Sequence, residues 1–321
     1  MRILVTGGAG FIGSHLCNSL ASNPLNEIVV VDSMNPSYGG DLCFIRKDNL
    51  LTGANIHFLC GRLMQFEEEL NRGRGFDLIF HLAAWPGVRH GQRNPISYYK
   101  NNVSEFEGVL DIVLRHRPKA FFFASSSSVY GDLGSDGPVS ESDADGSNLK
   151  SFYAATKWSN EVMARSFCKI YDGTVVALRF FTVFGTYGRP DMAYWIFSNR
   201  ILNGEPILLY GSNGGERNYT SARQVVEILS VLARAENLPI GYTPLNIAAG
   251  PSIETKSFLD ELATNLHKTT YTVQTVNRPA EDAVKTWADT KALKALIGEL
   301  PKTDLSSDIA EFCDWFMKHR E

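Results

Sequence analysis

The chain has 321 residues, 44% of them hydrophobic, so it can bury a large core as one α/β unit or as two lobes. Its formal net charge of −4 and isoelectric point near 6.0 exclude a strongly basic protein, so we expect no nucleic acid partner. No apolar run is long enough to span a bilayer, and we expect no membrane contact.

The cysteines indicate a reducing compartment. They are scattered, odd in number and without the spacing of a metal site, so we expect reduced thiols, mostly in the core, and no bound metal. The chain also enters a strand directly at its N-terminus, which leaves no room for a signal peptide. We therefore expect a cytoplasmic protein. The cysteines are Cys17, Cys43, Cys60, Cys168 and Cys313.

The chain opens with a predicted strand, a glycine-rich turn and a helix. Residues 3–5 are an apolar run of strand type, glycines stand at positions 7, 8, 10 and 13, and residues 14–22 have helical composition. Such glycines allow a tight turn and a close approach of the backbone to a pyrophosphate, whose charge the helix N-terminus receives. This order of elements predicts a dinucleotide site.

A second apolar run, residues 27–31, ends in Asp32, roughly twenty residues after the glycines. A carboxylate at this position suits a ribose 2′-hydroxyl and repels a 2′-phosphate, which favours NAD over NADP. The alternative is an acid that caps a helix or a turn.

Strand and helix patterns alternate through the rest of the first half. This alternation predicts a Rossmann-type, doubly wound parallel sheet in an α/β protein, with ligands beyond the C-terminal ends of its strands. The predicted strands are residues 76–84, 120–125 and 174–181, and the predicted helices are 101–115 and 153–171.

The composition changes after residue 181, where Gly, Pro, Tyr and Asn become frequent. We expect an NAD-binding domain over 1–181, to which 222–250 return as a helix and a strand, and a smaller substrate lobe formed by 182–221 and 251–321. Residues 132–150, rich in Gly, Ser and Asp, are predicted to be a mobile loop.

Tyr153 and Lys157 lie four residues apart and would share one face of a helix. A free phenol with a pKa of about 10 is a poor base at neutral pH, and a nearby cation lowers that pKa. Such a pair can move a proton to or from a sugar hydroxyl while a nicotinamide takes the hydride. The alternative is an ordinary surface pair on an amphipathic helix.

Over nearly its whole length, the chain resembles the extended short-chain dehydrogenase/reductases, and among them the nucleotide-sugar epimerases and dehydratases. The resemblance rests on residues 6–13, 81–84, 101–103, 125–131 and 153–157, which follow the family's order and spacing. Residues 84–90, 178–185 and 188–192 are most similar to the UDP-glucuronate 4-epimerases.

The resemblance implies roles for individual residues. Tyr153 would be the general base, Lys157 would hold the nicotinamide ribose and lower the pKa of Tyr153, and Ser126 would bind the sugar oxygen that is oxidised. Ser126 could instead be one hydroxyl of a polar turn. Asn102 would support the active-site helix, but it could equally be a plain buried polar group. The implied NAD contacts are Gly7, Gly10, Phe11, Ile12, Gly13, Asp32, Leu82, Ala83, Ala84, Asn102, Tyr153 and Lys157.

For the substrate, the resemblance implies a UDP-sugar. Three arginines stand at positions that contact the nucleotide, and a guanidinium suits a diphosphate because it binds in a bidentate manner. Each could instead be a solvated surface charge. A further cation, Arg89, would suit a glucuronate carboxylate, a phosphate or a salt bridge. The implied substrate contacts are Arg89, Ser127, Thr182, Arg189, Arg217 and Arg278.

The implied reaction begins with oxidation at the sugar C4 to a 4-keto intermediate. Return of the hydride to the other face gives a 4-epimerase, whereas loss of the C5 proton and of water from C6 gives a dehydratase. The usual 4,6-dehydratases carry an Asp-Glu pair where this chain has Ser127 and Ser128, which favours epimerisation. Glu141 and His90 are the other candidates for an eliminating group.

Several positions depart from the family pattern. Arg62 replaces the acid that reaches the adenine, Arg223 replaces an acid of the stretch after Arg217, and Trp85 and Trp158 flank the expected pocket. An antibiotic-pathway UDP-hexosamine dehydratase, similar to the 5,6-dehydratase of tunicamycin formation, is therefore the alternative. A non-catalytic NAD-binding regulator is a remote one. Family members often form homodimers through the helices near 101–116 and 153–171, which we expect here.

Overall fold

The computed structural model describes residues 1–36, 41–131, 137–268 and 270–320. The strands are β1 Arg2–Thr6, β2 Glu27–Asp32, β3 Ile56–Cys60, β4 Leu78–His81, β5 Ala120–Ser126, β6 Thr174–Phe180, β7 Thr182–Phe184, β8 Ile207–Tyr210, β9 Glu216–Arg217, β10 Tyr219–Ser221, β11 Gly241–Ile247, β12 Ile253–Glu254, β13 Val273–Val276 and β14 Lys285–Thr286.

The α-helices are α1 Phe11–Ala21, α2 Leu42–Leu50, α3 Glu67–Leu70, α4 Val88–Arg93, α5 Pro95–Tyr98, α6 Glu105–His116, α7 Phe152–Phe167, α8 Ala193–Asn203, α9 Ala222–Leu232, α10 Thr255–Asn265, α11 Lys291–Ile297 and α12 Leu305–His319. Short 3-10 helices cover Leu63–Phe66, Ser127–Tyr130 and Glu141–Asp143, and a π-helical segment covers Tyr99–Ser104.

A seven-stranded sheet in the order β11-β6-β5-β4-β1-β2-β3 forms the centre of the fold, and all of its neighbouring strands are parallel. The strands β1, β4 and β6 are buried along their whole length, because their side chains point alternately to the two faces of the sheet and helices cover both. Ile3 and Val5 pack with α1, α9 and α11, whereas Leu4 packs with α6 and α7. The predicted doubly wound Rossmann-type sheet is therefore confirmed.

A third apolar core lies apart from the two faces of the sheet. It joins side chains of α8, α10 and α12 with those of β8, among them Tyr194, Phe258 and Phe312. Most of it comes from the predicted substrate lobe. Helix α11 differs, because Leu293 packs into the sheet core beside β11 and α9, although residues 251–321 were all predicted to join the lobe.

The predicted mobile loop 132–150 differs from the structure over its described part, residues 137–150. The Val139 amide donates to the Trp287 carbonyl at 2.7 Å, and the Asn246 side chain donates to the Val139 carbonyl at 2.9 Å. Gly146 lies against the Trp158 ring. These contacts fasten the segment to the protein, while residues 132–136 lie outside the described part of the chain.

Among the described residues, no helix combines the length and the apolar character needed to cross a membrane. The same residues contain no group of three or more His, Cys, Asp and Glu side chains arranged to hold a metal ion. Cys17, Cys43 and Cys313 are buried, Cys168 is half-buried and Cys60 is exposed, and none is in a disulfide.

Candidate active site

The glycine-rich turn lies at the C-terminal edge of the sheet, between β1 and α1. Gly7 has a φ of +73°, and a β-carbon there would lie 2.5 Å from the Ala83 backbone nitrogen and 2.8 Å from the Leu82 carbonyl carbon. The turn therefore packs directly on the segment that follows β4, Leu82 to Ala84. Only glycine fits this position, since it needs both the left-handed backbone and the missing side chain.

Helix α1 begins close to this turn. A β-carbon at Gly13 would lie 2.2 Å from the Gly7 carbonyl oxygen, so glycine is what lets the helix approach the turn. Gly10 precedes the helix with extended backbone and caps it with no side chain. The amides of Phe11 and Ile12 belong to the first helical turn, where backbone donors have no partner within the helix. A pyrophosphate fits this end of α1.

Asp32 ends β2 beside the same turn. Its carboxylate accepts the Ala9 amide at 2.9 Å and the Met34 amide at 2.8 Å. Burial raises the pKa of Asp32, and these backbone hydrogen bonds oppose that rise. The half-buried carboxylate thus shapes the turn and stands where a ribose hydroxyl would meet it. The glycine cradle and this acid together fit a dinucleotide without a 2′-phosphate.

Tyr153 lies in the first turn of α7, which Ser151 caps by accepting the Ala154 amide at 3.1 Å. The half-buried phenol lies near Ser126, the last residue of β5, whose hydroxyl is one of the groups that lower the pKa of Tyr153. Burial raises the pKa of Tyr153, whereas the Ser126 hydroxyl and the charge of Arg189 lower it. The structure therefore brings the predicted base and the predicted sugar-binding hydroxyl together.

Lys157 is buried one turn further along α7. Its ammonium donates to the Ala124 carbonyl at 2.9 Å and lies 6.0 Å from the centroid of the Tyr153 ring. Burial lowers the pKa of Lys157 to about 7. Burial thus acts against the charged form of both groups, since it raises the pKa of Tyr153 and lowers that of Lys157.

Ser126 also begins the 3-10 turn Ser127–Tyr130. Its hydroxyl donates to the Ser128 hydroxyl at 3.1 Å and accepts the Ser128 amide at 3.1 Å. Ser127 lines a small pocket with Tyr130, Phe181 and Trp287. Thr182, at the start of β7, donates its amide to the Asn218 carbonyl at 3.2 Å, just beyond the end of β6.

Asn102 is buried in the π-helical segment before α6. Its side-chain oxygen accepts the Trp85 amide at 2.7 Å, and its nitrogen donates to the Trp85 carbonyl at 3.0 Å and to the Thr156 hydroxyl at 3.1 Å. This side chain thus ties the segment after β4 to α7. These bonds have the geometry expected of a residue that supports the active-site helix, and they use both sides of the Asn102 amide group.

Arg189 is the predicted arginine that lies nearest to the reacting groups, since its charge acts on Tyr153. It binds the Asp191 carboxylate with two hydrogen bonds, of 3.0 and 2.5 Å. A residue able to hold two oxygens in this manner matches the geometry of a phosphate or carboxylate.

The other predicted arginines meet at the loop between β13 and β14. Arg217 donates to the Ala283 and Val284 carbonyls, and Arg278 donates to the Ala283 carbonyl and to that of Tyr210.

Arg89, on α4, forms a 2.6 Å ion pair with Asp282 and stacks over the Tyr210 ring. Of its predicted roles, the structure shows the salt bridge.

The two candidates for an eliminating group each have contacts of their own. Glu141 accepts the Asn246 amide at 2.8 Å and so belongs to the anchored segment 137–150. The His90 ring contacts the Trp85 and Tyr98 rings, and the Tyr98 ring also contacts the Tyr153 ring.

A buried ion pair between Glu161 and Arg179 also contacts β5, through Ser125, and sequence reasoning did not identify it. Glu161 lies on α7 and Arg179 on β6, and both side chains are fully buried. A signal was available, because a lone arginine within an apolar strand needs a buried partner.

Comparison with known proteins agrees with this geometry. The profile of the NAD dependent epimerase/dehydratase family matches residues 3–248. An uncharacterized protein of Methanocaldococcus jannaschii, MJ1055, is 33% identical, with 100% of this chain and 97% of the relative covered. A probable UDP-glucuronate 4-epimerase of Rhizobium meliloti is 30% identical, with coverages of 98% and 97%.

A crystal structure of UDP-glucuronic acid 4-epimerase from Bacillus cereus, in complex with UDP-glucuronic acid and NAD, superposes with a TM-score of 0.89. It is 27% identical in sequence, and 99% of each chain is covered. The predicted cofactor, NAD, is the one in the family's description, and the glycine cradle and Asp32 fit it. This chain therefore belongs to the NAD dependent epimerase/dehydratase family.

Proposed function

We propose that the chain is a UDP-sugar 4-epimerase, with UDP-glucuronate as the first candidate substrate. One observation carries this proposal: Tyr153 meets Ser126 at a strand end where the next two residues are serines, not an acid and a base. The site thus offers one group for proton transfer at a sugar hydroxyl and hydroxyls around it. The relatives named UDP-glucuronate 4-epimerase support this choice.

Tyr153 acts as the general base that removes the proton of the C4 hydroxyl, and later returns a proton to the C4 oxygen. Ser126 binds that oxygen and fixes its distance from the phenol. Bound NAD supplies the chemistry that takes the C4 hydride and gives it back to the opposite face of the 4-keto sugar. The 4-keto sugar rotates between these two steps.

The pKa of Tyr153 decides how well it acts as a base. Burial raises this pKa, so the site needs opposing effects, and the Ser126 hydroxyl and the Arg189 charge provide them. Lys157 holds the nicotinamide ribose, and it adds to this lowering to the extent that it carries its proton.

For the nucleotide, we propose that Arg189, Arg217 and Arg278 bind the diphosphate. Arg217 and Arg278 donate to neutral carbonyls, which phosphate oxygens would replace as stronger, charged acceptors. The third core, built mostly from the second half of the chain, serves as the substrate lobe. Ser127 and Thr182 contact the sugar from the strand ends.

The elimination alternative, a UDP-hexosamine dehydratase, receives no specific support from the geometry. Removal of the C5 proton needs a base within hydrogen-bond reach of the reacting carbon. Glu141 accepts the Asn246 amide, and the His90 ring packs on the Trp85 and Tyr98 rings. The same arrangement of Ser126 and Tyr153 also argues against a non-catalytic regulator.

We further propose a homodimer formed around α6 and α7. Val162 of α7 is 49% exposed, and Tyr99 and Ile96, which precede α6, are 53% and 66% exposed. Large apolar side chains exposed on neighbouring helices are typical of surfaces that a second copy covers. The mass in solution measured by light scattering tests this proposal.

The experiment that tests the function is proton NMR of the purified enzyme with NAD in D₂O. UDP-glucuronate, UDP-N-acetylglucosamine and UDP-glucose are offered in separate reactions. A C4 epimer without deuterium at C5 is the expected product, because the hydride returns within the site and no C5 proton is removed. Vinyl signals at C6, or a deuterated methyl group beside a 4-ketone, would show dehydration and overturn the proposal.

A further inference from the structure

The Glu161–Arg179 ion pair lies next to the C-terminal end of β5, where Ser125 and Ser126 stand. All four hydrogen bonds that the Glu161 carboxylate can accept are made. One oxygen accepts the Ser125 hydroxyl at 2.5 Å and the Arg179 Nε at 3.0 Å. The other accepts an Arg179 terminal nitrogen at 2.7 Å and the Tyr242 hydroxyl at 2.7 Å. The pair is thus fixed in one geometry.

The remaining nitrogen of Arg179 reaches the far end of the same turn. It donates to the Tyr130 hydroxyl at 2.9 Å and to the Glu141 carbonyl at 2.8 Å. Tyr130 in turn donates to the Asn246 side chain at 2.5 Å. Ser125 precedes Ser126, and Tyr130 ends the turn that Ser126 begins. The ion pair therefore contacts the turn at both ends.

The pair also connects this turn to the helix that carries the base. Glu161 lies on α7, eight residues after Tyr153 and four after Lys157. A displacement of the turn relative to α7 would have to break hydrogen bonds inside a fully buried network. Buried ion pairs contribute little net stability, because desolvation offsets the Coulomb attraction. What a fully hydrogen-bonded buried network supplies instead is a fixed geometry of the groups it joins.

We propose that Ser125, Tyr130, Glu161 and Arg179 form a positioning clamp that fixes the turn of Ser126 relative to α7, and so fixes Ser126 relative to Tyr153. The inference rests on the proposed function, because it assumes that the placement of these two hydroxyls serves proton transfer at C4. The members of the clamp are positioning residues and touch neither the sugar nor NAD. They act through the Ser126–Tyr153 distance.

The test compares two substitutions that each remove one hydrogen bond from Glu161. Ser125→Ala removes the bond next to Ser126, whereas Tyr242→Phe removes one on β11, away from the turn. We expect similar losses of melting temperature, since each variant leaves one carboxylate oxygen with one partner fewer. We expect Ser125→Ala to lower kcat roughly tenfold or more with little change in KM, because small misplacements of reacting groups are costly. Tyr242→Phe should keep kcat within about twofold.

A second readout does not depend on turnover. The Tyr153 phenolate is titrated by its absorbance, with Tyr153→Phe as the subtraction. Because the Ser126 hydroxyl lowers the pKa of Tyr153, Ser125→Ala should raise that pKa and Tyr242→Phe should not. Ser125→Thr, which keeps the hydroxyl, should restore the wild-type value.

The two proposals can fail separately. An inactive wild-type enzyme whose Tyr153 pKa still rises in Ser125→Ala would refute the proposed reaction and keep the clamp. An active enzyme in which both variants lose kcat equally, with no difference in the Tyr153 pKa, would refute the clamp and keep the reaction.

Discussion

At the scale of single residues, burial and neighbouring polar or charged groups have opposite effects on the pKa of the phenol in the site. Burial raises the pKa of Tyr153 and lowers that of Lys157 to about 7, so it opposes the ionised form of both groups. The hydroxyl of Ser126 and the charge of Arg189 work in the other direction on the phenol. The pKa of the phenol therefore depends on its neighbours as well as on its burial.

Removing the phenolic oxygen should abolish turnover while the cofactor still binds. We expect Tyr153→Phe to lower kcat by roughly two to four orders of magnitude, the usual effect of losing a general base. Turnover by NMR and NAD affinity by fluorescence titration measure the two effects. Tyr171→Phe is the matched control, since Tyr171 is a buried tyrosine beyond the C-terminal end of α7, and its hydroxyl donates to the Pro118 carbonyl. Unchanged turnover in Tyr153→Phe would remove this residue from the mechanism.

Lys157 should give stability a characteristic pH dependence. Its pKa is lowered from 10.5 to about 7, so between these values the folded protein has released a proton that the unfolded chain retains. The lysine's contribution to stability therefore rises with pH across this window, by about 1.4 kcal/mol per pH unit. Below pH 7 Lys157 is charged in both the folded and the unfolded protein, so the full cost of burying its charge lowers the stability of the folded protein.

The measurement is urea unfolding of the wild type and of Lys157→Met between pH 7 and 10. We expect Lys157→Met to be the more stable protein at pH 7, and its advantage to shrink as the pH rises. A difference between the two proteins that stays constant over this range would contradict a buried lysine with a lowered pKa.

The sequence placed Tyr153 and Lys157 together because their spacing is a local feature of one helix, and the family resemblance added Ser126 of β5. It was not sufficient for Arg89, whose partner Asp282 lies 193 residues away. The lone Arg179 in an apolar strand indicated a buried partner, but it did not identify that partner as Glu161 of α7. Such contacts depend on which elements become neighbours, and no local pattern encodes that.

At the scale of elements, the glycine-rich turn is the most constrained piece of the fold. Gly7→Ala should destabilise the protein and abolish NAD binding, because the new methyl group would meet the Ala83 backbone at 2.5 Å. A left-handed backbone alone costs a non-glycine residue roughly 1–2 kcal/mol, and overpacking adds about 1–3 kcal/mol. Urea unfolding and NAD titration measure the two losses.

Gly73→Ala separates these two costs. Gly73 has a similar φ of +83°, and a β-carbon there would meet nothing within 4 Å. We expect this variant to show only the backbone cost and to bind NAD normally. Equal losses of stability in the two variants, with NAD binding intact in both, would show that close packing of the turn on Ala83 is unimportant.

The elements themselves were predicted well where a local apolar pattern defines them, and less well where contacts with distant residues are involved. The apolar runs at the start of β1 and in β5 lie inside the observed strands, since buried parallel strands read as continuous apolar stretches. The helix predicted at 101–115 instead begins with a π-helical segment up to Ser104. Asn102 lies in this segment, and its bonds to Trp85 and Thr156 join it to distant parts of the chain that no local pattern indicates.

At the scale of the whole molecule, the sheet and the third core are built from interleaved parts of the sequence. Composition alone indicated a second lobe after residue 181, and most of the third core does come from there. Composition could not assign α11, whose Leu293 completes the sheet core. Membership of a core is decided by which surfaces meet after the chain has folded.

The ion pair between Arg89 and Asp282 connects these two parts of the molecule. Arg89 stands on α4, beside the sheet, whereas Asp282 lies in the loop after β13 and Tyr210 ends β8. The Arg89 side chain is 46% exposed, so the pair contributes at most about 1 kcal/mol. We therefore expect Arg89→Gln and Asp282→Asn to leave the melting temperature almost unchanged.

Their kinetics should identify what Arg89 does. If the pair holds the lobes together, each single variant and the double variant should raise KM by the same factor, roughly two- to fivefold, for UDP-glucuronate and UDP-glucose alike. This is the expected result, because the guanidinium is already paired in the structure. If Arg89 binds the sugar carboxylate, Arg89→Gln should raise KM for UDP-glucuronate alone, and Asp282→Asn should not reproduce it. Steady-state kinetics of the three variants on both substrates distinguish the two cases.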